Sequence, residues 1–129
     1  MDQRIEQAQQ LYWEIGRLRE DGARRLAIPK LVRMAEIHED RAMELLRSRN
    51  PDGWPDFYAA ITAWGESGHK SHADRLIVEG SNLAAMFPDG RQNIEQQLRE
   101  LDAWLDSLRV VPTLGDFAQP LPTIPAEAA

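Results

Sequence analysis

Three residues at regular spacing look first like chemistry: Glu66, His69 and His72, with Asp74 close behind. On an unbroken helix, i, i+3, i+6 spacing would bring one carboxylate and two imidazoles to one face. That set suits zinc or iron with a coordination position left open. The local context points the other way. Gly65 and Gly68 interrupt the helix, and Ser71-His72-Ala73-Asp74 reads as a capping box for the next one, leaving His69 in a loop. A di-iron bundle would need two Glu-x-x-His helices, and the chain has one such spacing. The His-Glu-x-x-His zinc signature is absent. The expectation is a polar inter-helix loop without a cofactor, with Glu66, His69 and His72 as the metal candidates.

Other catalytic patterns are missing as well. The chain has no Gly-x-x-x-x-Gly-Lys phosphate loop, no Gly-x-Ser-x-Gly elbow and no dinucleotide fingerprint. Without cysteine there is no thiolate nucleophile, no Cys-type zinc site and no disulfide, which fits a reducing compartment. Glu36, Glu39, Asp40 and Glu44 fall away from the apolar stripe of their helix and read as solvated surface. His38 lies on that stripe and is expected as a core histidine hydrogen-bonded to a neighbour; a pH-sensitive contact is the alternative.

Charge narrows the partners. The net charge of −6 divides into +1 over residues 1–49 and −7 over 50–129. An overall acidic surface disfavours nucleic acid, because phosphate neutralisation needs a cationic footprint. One local footprint exists in Arg17, Arg19, Arg24, Arg25, Lys30 and Arg33, set against Glu20 and Asp21. No apolar run approaches the roughly 18 residues of a membrane span. The first ten residues, MDQRIEQAQQ, are polar and unlike a signal peptide. A soluble cytoplasmic protein with no membrane partner is expected.

The elements that must position these residues are helical. Ile5, Ala8, Leu11, Tyr12, Ile15 and Leu18 keep the spacing of one helix side, closed by Asp21-Gly22. A second stripe, Leu31, Met34, Ala35, His38, Ala42, Leu45 and Leu46, predicts a helix over 27–49, with Pro29 in its first turn. After the Asn50-Pro51-Asp52-Gly53 turn signal, Phe57, Ala60, Ile61 and Trp64 share a face of a third helix, ended by Gly65 and Gly68. A fourth carries Ala73, Leu76, Ile77, Gly80, Leu83, Ala84 and Phe87. Gly80 costs roughly 1 kcal/mol against Ala there, which makes sense if another helix crosses closely. The last, about 91–109, has a 4-3-4-3 seam of Ile94, Leu98, Leu101, Leu105 and Leu108, expected to close the bundle or to pair two copies of the chain. Residues 110–129 carry four prolines and little charge and read as an extended tail. Within it, 121–125 has polyproline-ligand spacing, and Val110, Val111, Leu114 and Phe117 are expected to pack back on the helices.

A shift of 46 residues superimposes the first two helix pairs. Tyr12 falls on Tyr58, Ile15 on Ile61, Glu20 on Glu66, Gly22 on Gly68, Ala27 on Ala73 and Val32 on Val78. The second copy resembles a tetratricopeptide-type hairpin in Phe57, Ala60-Ile61, Trp64, Gly68, Ala73, Ile77 and Gly80. The closing proline of that pattern would fall three residues before Pro88, and Pro29 interrupts the equivalent helix of the first copy. The resemblance implies two stacked hairpins capped by the last helix, with Tyr12, Arg19 and Tyr58 on the groove side.

The expected fold is therefore all-α: about five helices over 1–109, arranged as stacked antiparallel hairpins, followed by the Pro-rich tail. The expected function is a non-enzymatic protein-binding module, an adaptor, chaperone-like protein or small acidic inhibitor. Trp13, Trp54 and Tyr58 are aromatics left over from the stripes. Partner contacts are expected at Tyr12, Arg19, Trp54 and Tyr58, or on the acidic face of Glu95, Glu100, Asp102 and Asp106. The alternatives are a metal-binding protein or metalloenzyme using residues 66–72, or a nucleic-acid binder using the 17–33 cations.

Overall fold

A computed structural model describes residues 2–110. They form five α-helices: α1 (Gln3–Glu20), α2 (Arg24–Arg47), α3 (Gly53–Glu66), α4 (Lys70–Leu83) and α5 (Arg91–Val110). A single 3-10 turn, Ala84–Met86, follows α4. The fold is all-α as expected, with consecutive helices packed on one another and α5 lying across both α3 and α4. The expectations for 111–129, among them the packing of Val111, Leu114 and Phe117, lie outside the described residues.

Three of the connections use one backbone device. At the end of α1, Gly22 takes φ +76°, its N–H donates to the Arg19 carbonyl and the Ala23 N–H to that of Leu18. At the end of α3, Gly68 takes φ +88°, its N–H donates to Gly65 and the His69 N–H to Trp64. These are Schellman closures, which satisfy carbonyls left free by the helix end. They lie 46 residues apart, so the self-similarity in sequence coincides with the same turn in both hairpins. The α2 closure repeats the pattern with Arg49 in the left-handed position, φ 61°.

The main core is built from α2, α3, α4 and α5 around Leu46, Phe57, Ile61, Leu98 and Leu105, all essentially without solvent access. A smaller cluster of Ile15, Ala27 and Leu31, flanked by Leu18 and Met34, is what holds α1 to α2. Helix α1 contributes nothing to the larger core.

Several sequence expectations are corrected by the packing. Gly65 does not stop α3; it is buried inside it, and a Cβ there would lie 2.6 Å from Leu105 Cδ2 and 2.9 Å from Trp104 Cζ3. Its smallness admits α5. Gly80 plays the same part for α4: a Cβ would meet Phe57 Cε2 at 2.6 Å and Leu98 Cδ1 at 3.1 Å. The Ser71 capping box does not form, because the Gly68 closure lets α4 begin at Lys70 with His69 as its N-cap, two residues earlier. Asp74 instead accepts from Lys70 Nζ at 2.6–2.7 Å. Pro29 lies in the second turn of α2, since Arg24 starts the helix. The 94–108 seam faces inward, with Ile94, Leu98 and Leu105 buried, so it closes the bundle.

Candidate functional site

The apolar stripe of α1 is wider than the surface α2 covers. Ala8 and Ile15 are buried and Leu11 and Leu18 partly so, whereas Ile5 and Tyr12 remain exposed. The uncovered edge looks across to α3, which answers with the small or polar Ala59, Thr62 and Ala63. The two helices therefore do not meet along their length. Between them lies an open groove of about 960 Å³, floored by Met34 and Ile37 of α2. A contiguous lobe of about 470 Å³ extends toward the end of α1, bounded by Ile15, Gly16, Arg17, Leu31 and Met34. Tyr12, Trp13, Arg19, Met34 and Glu66 line both spaces.

Ion pairs pin the groove at its two ends. At one end Arg19 Nη2 reaches Glu66 Oε1 at 3.3 Å, joining α1 to α3. At the other, Arg41 of α2 binds Asp56 of α3 and lies 3.4 Å from Asp2, the N-cap of α1. His38 Nδ1 completes that cluster at 2.8 Å from Asp56 Oδ1, so its role is the hydrogen-bonded histidine, at the groove edge rather than within the core. Asp2 also caps its own helix, accepting from the Arg4 backbone N–H at 2.9 Å and from its guanidinium at 2.8 Å. Those hydrogen bonds hold its carboxyl at about 2, below the usual 3.8. Exposed pairs like Arg19–Glu66 add little stability one at a time. Their effect here is to set the spacing of the walls.

At the lip stand Tyr12 and Trp13, 71% and 72% exposed, the most accessible aromatic side chains among the described residues. Among the described residues the groove offers no activated nucleophile. Its one hydroxyl besides Tyr12, that of Thr62, donates to the Tyr58 carbonyl at 3.0 Å, and no Ser or Lys lines it. The His38–Asp56 pair is of the kind that orients a general base, but no attacking group stands beside it.

Of the residues expected to contact a partner, Tyr12 and Arg19 come together in this groove. Tyr58 does not: it stacks on Trp54 with centroids 5.9 Å apart, and burial raises its phenol above the usual value. Trp54 is 5% exposed and packs edge-on to Phe57 and Phe87, so it is a core residue. The acids of α5 lie elsewhere. Glu95 pairs with Arg91 at 3.1 Å, Asp106 lies 3.8 Å from Lys70, and Asp102 borders a small cleft with Glu95 and Arg99.

The metal candidates are separated by their partners. Glu66 holds Arg19, and His69 Nδ1 lies 2.9 Å from Ser67 Oγ. His72 stacks on Trp64 at 4.0 Å and bonds Glu39 through Nε2 at 2.8 Å. No group of three potential ligands exists among the described residues. Glu39, expected as solvated surface, also accepts from Trp64 Nε1 at 2.9 Å and so ties α2, α3 and α4 together. In the cationic cluster, Arg19, Lys30 and Arg33 are paired with Glu66, Glu14 and Glu36, leaving Arg17, Arg24 and Arg25 with no ion partner among the described residues.

Sequence reasoning missed the floor and far end of the groove: Met34, Ile37, Ala59, Ala63, Arg41 and Asp56. Comparison with protein-family models, curated proteins and solved structures returned no match.

Proposed function

We propose that this chain is a non-enzymatic protein-binding module that seats a segment of a partner protein in the groove between α1 and α3. The observation that carries this reading is the pairing of exposed Tyr12 and Trp13 with an apolar floor of Met34 and Ile37 and with Ala8, Ala59 and Ala63 on the walls. Large aromatics are costly to leave in water, and Tyr and Trp are the side chains that anchor interfaces. A small-molecule site would enclose most of its ligand. Here the aromatics stand clear of the walls, which suits a chain segment laid along them.

The groove spans Arg4 to Arg19 on α1, roughly 22 Å at the helical rise. That length takes about seven extended residues or four helical turns. The acidic α5 face shares no residue with it and has no apolar anchor of comparable exposure.

A photo-crosslinking residue placed at Trp13, and separately at Val78 on the far side of the bundle, tests the reading in host lysate. Adducts formed from position 13 with a defined partner segment, and absent from position 78, are expected. Identical adducts from both positions, or none from 13, would count against it.

A further inference from the structure

The geometry points to one kind of occupant for this groove: an amphipathic α-helix of about four turns, supplied by a partner protein, with an acidic side chain at the end nearest Arg17 and Arg24. The inference rests on the groove being a seat for a protein segment and specifies that segment's form and charge. The first argument is a backbone count. The groove is walled by α1 and α3 and floored by α2, and helices spend their N–H and C=O groups on themselves. Among the described residues there is no strand, so an extended chain has no sheet edge to join. The lining side chains offer little in exchange. Arg4, Arg19 and Arg41 are engaged with Asp2, Glu66 and Asp56, and the Thr62 hydroxyl donates to the Tyr58 carbonyl. An extended segment would turn its inward backbone groups toward Ala59, Ala63, Met34 and Ile37, away from water and with no partner there. A helix arrives with its backbone already paired.

The second argument is size. A helix about 10 Å across and roughly 22 Å long occupies about 1,700 Å³. The groove's volume of about 960 Å³ therefore takes such a helix sunk to a little over half its depth. Ala59, Thr62 and Ala63 share one face of α3, and side chains that small admit a neighbouring axis at about 8 Å, the close limit of helix packing. A half-sunk helix needs apolar residues at 3-and-4 spacing on one side and polar ones on the other. The third argument is charge. In a chain of net charge −6, the groove and its lobe are lined by Arg4, Arg17, Arg19 and Arg41 against Glu20, Asp56 and Glu66. At the end near the start of α1 the lining charges are paired, Arg4 with Asp2 and Glu44, and Asp56 with Arg41 and His38. At the lobe end Arg17 has no ion partner among the described residues. Arg24, equally unpaired, shares a face of α2 with Ala27, Leu31 and Met34 and so heads the row that leads to the floor. An acid on the incoming helix meets these cations.

Random peptides of about 15 residues, the helical length of the groove, displayed on phage and selected on the whole chain, test this. Sequences that no longer bind after Tyr12→Ala with Trp13→Ala are the groove binders. They should carry apolar residues at 3-and-4 spacing, an acid toward one end and no internal proline. The synthetic peptide should gain helical circular dichroism on mixing with the protein. Arg17→Glu with Arg24→Glu should weaken its binding about tenfold or more, and exchanging the peptide's acid for Lys should restore binding to that variant. Groove binders that alternate polar and apolar residues, are rich in proline or gain no helicity overturn the inference and leave the module reading standing. Affinity indifferent to the charge reversal overturns it as well. A chain that sediments as a dimer, and as a monomer after Trp13→Ala, would make a second copy the occupant and also overturn it. If no selected sequence depends on Tyr12 and Trp13, this inference and the module reading fail together.

Discussion

Two identical substitutions on different helices should move stability in opposite directions. Gly16 lies inside α1 with nothing within 4 Å of where a Cβ would be. Gly16→Ala therefore gains only helix propensity, about 0.8–1.0 kcal/mol. Gly80 gains the same in α4, but its Cβ would sit 2.6 Å from Phe57 Cε2 and 3.1 Å from Leu98 Cδ1. The Phe57 ring has no solvent access and is walled by Trp54 at 5.4 Å, so it has no room to recoil. Overpacking of this kind costs typically 1–3 kcal/mol. With the upper half of that range, Gly80→Ala is a net loss of about 1–2 kcal/mol. The two variants should then differ by about 2–3 kcal/mol in urea unfolding followed by circular dichroism. At about 4–8 °C per kcal/mol for a folded unit of this size, Tm rises for one and falls for the other. A Phe57→Leu change in the Gly80→Ala background should recover part of the loss, a coupling separate sites do not show. Equal stabilisation by both alanines would refute the close helix crossing at Gly80.

Other expectations follow from single contacts. Arg49→Gly relieves a left-handed backbone at the α2 closure and should stabilise the chain by about 1 kcal/mol in the same unfolding assay. Glu39→Ala leaves the Trp64 indole and His72 imidazole without their acceptor and should cost about 1–3 kcal/mol, whereas Glu39→Gln, which keeps one oxygen, should cost less. Asp2 has a depressed folded-state value, so its contribution to the first turn of α1 is present above 3.8 and is lost as pH falls toward about 2. Amide exchange at Arg4 and Ile5, followed by NMR across that window, should accelerate in step with it.

How much of this was legible in the sequence depended on whether a signal was local. Helix stripes and glycine closures are local, and five helices with Gly22 and Gly68 as turn residues follow from them. Gly65 misled because a glycine required by a neighbouring helix and one that ends a helix look alike until α5 is placed. Ser71 misled for a related reason: it carries cap chemistry, but the turn before it had already fixed where α4 starts. Tyr58 matches Tyr12 across the 46-residue shift, yet Trp54 covers it and nothing covers Tyr12. Which of two equivalent faces is left bare is decided by the partners of each helix. The ends of the groove were invisible for the same reason, since Arg41 meets Asp56 only through the way α2 crosses α3. Trp13 was detectable as an aromatic that fitted no stripe, and that misfit was the most useful clue to the site.

The proposed partner seat depends on Tyr12 and Trp13 as its anchors. Both are largely solvated, so Tyr12→Ala with Trp13→Ala should leave thermal stability within about 0.5 kcal/mol of the parent. Affinity for the segment crosslinked from position 13, measured by calorimetry on both proteins, is the direct test. Two interface anchors at about 2 kcal/mol each predict a loss of at least a hundredfold. Unchanged affinity in a stably folded double variant would mean that Tyr12 and Trp13 do not anchor the partner.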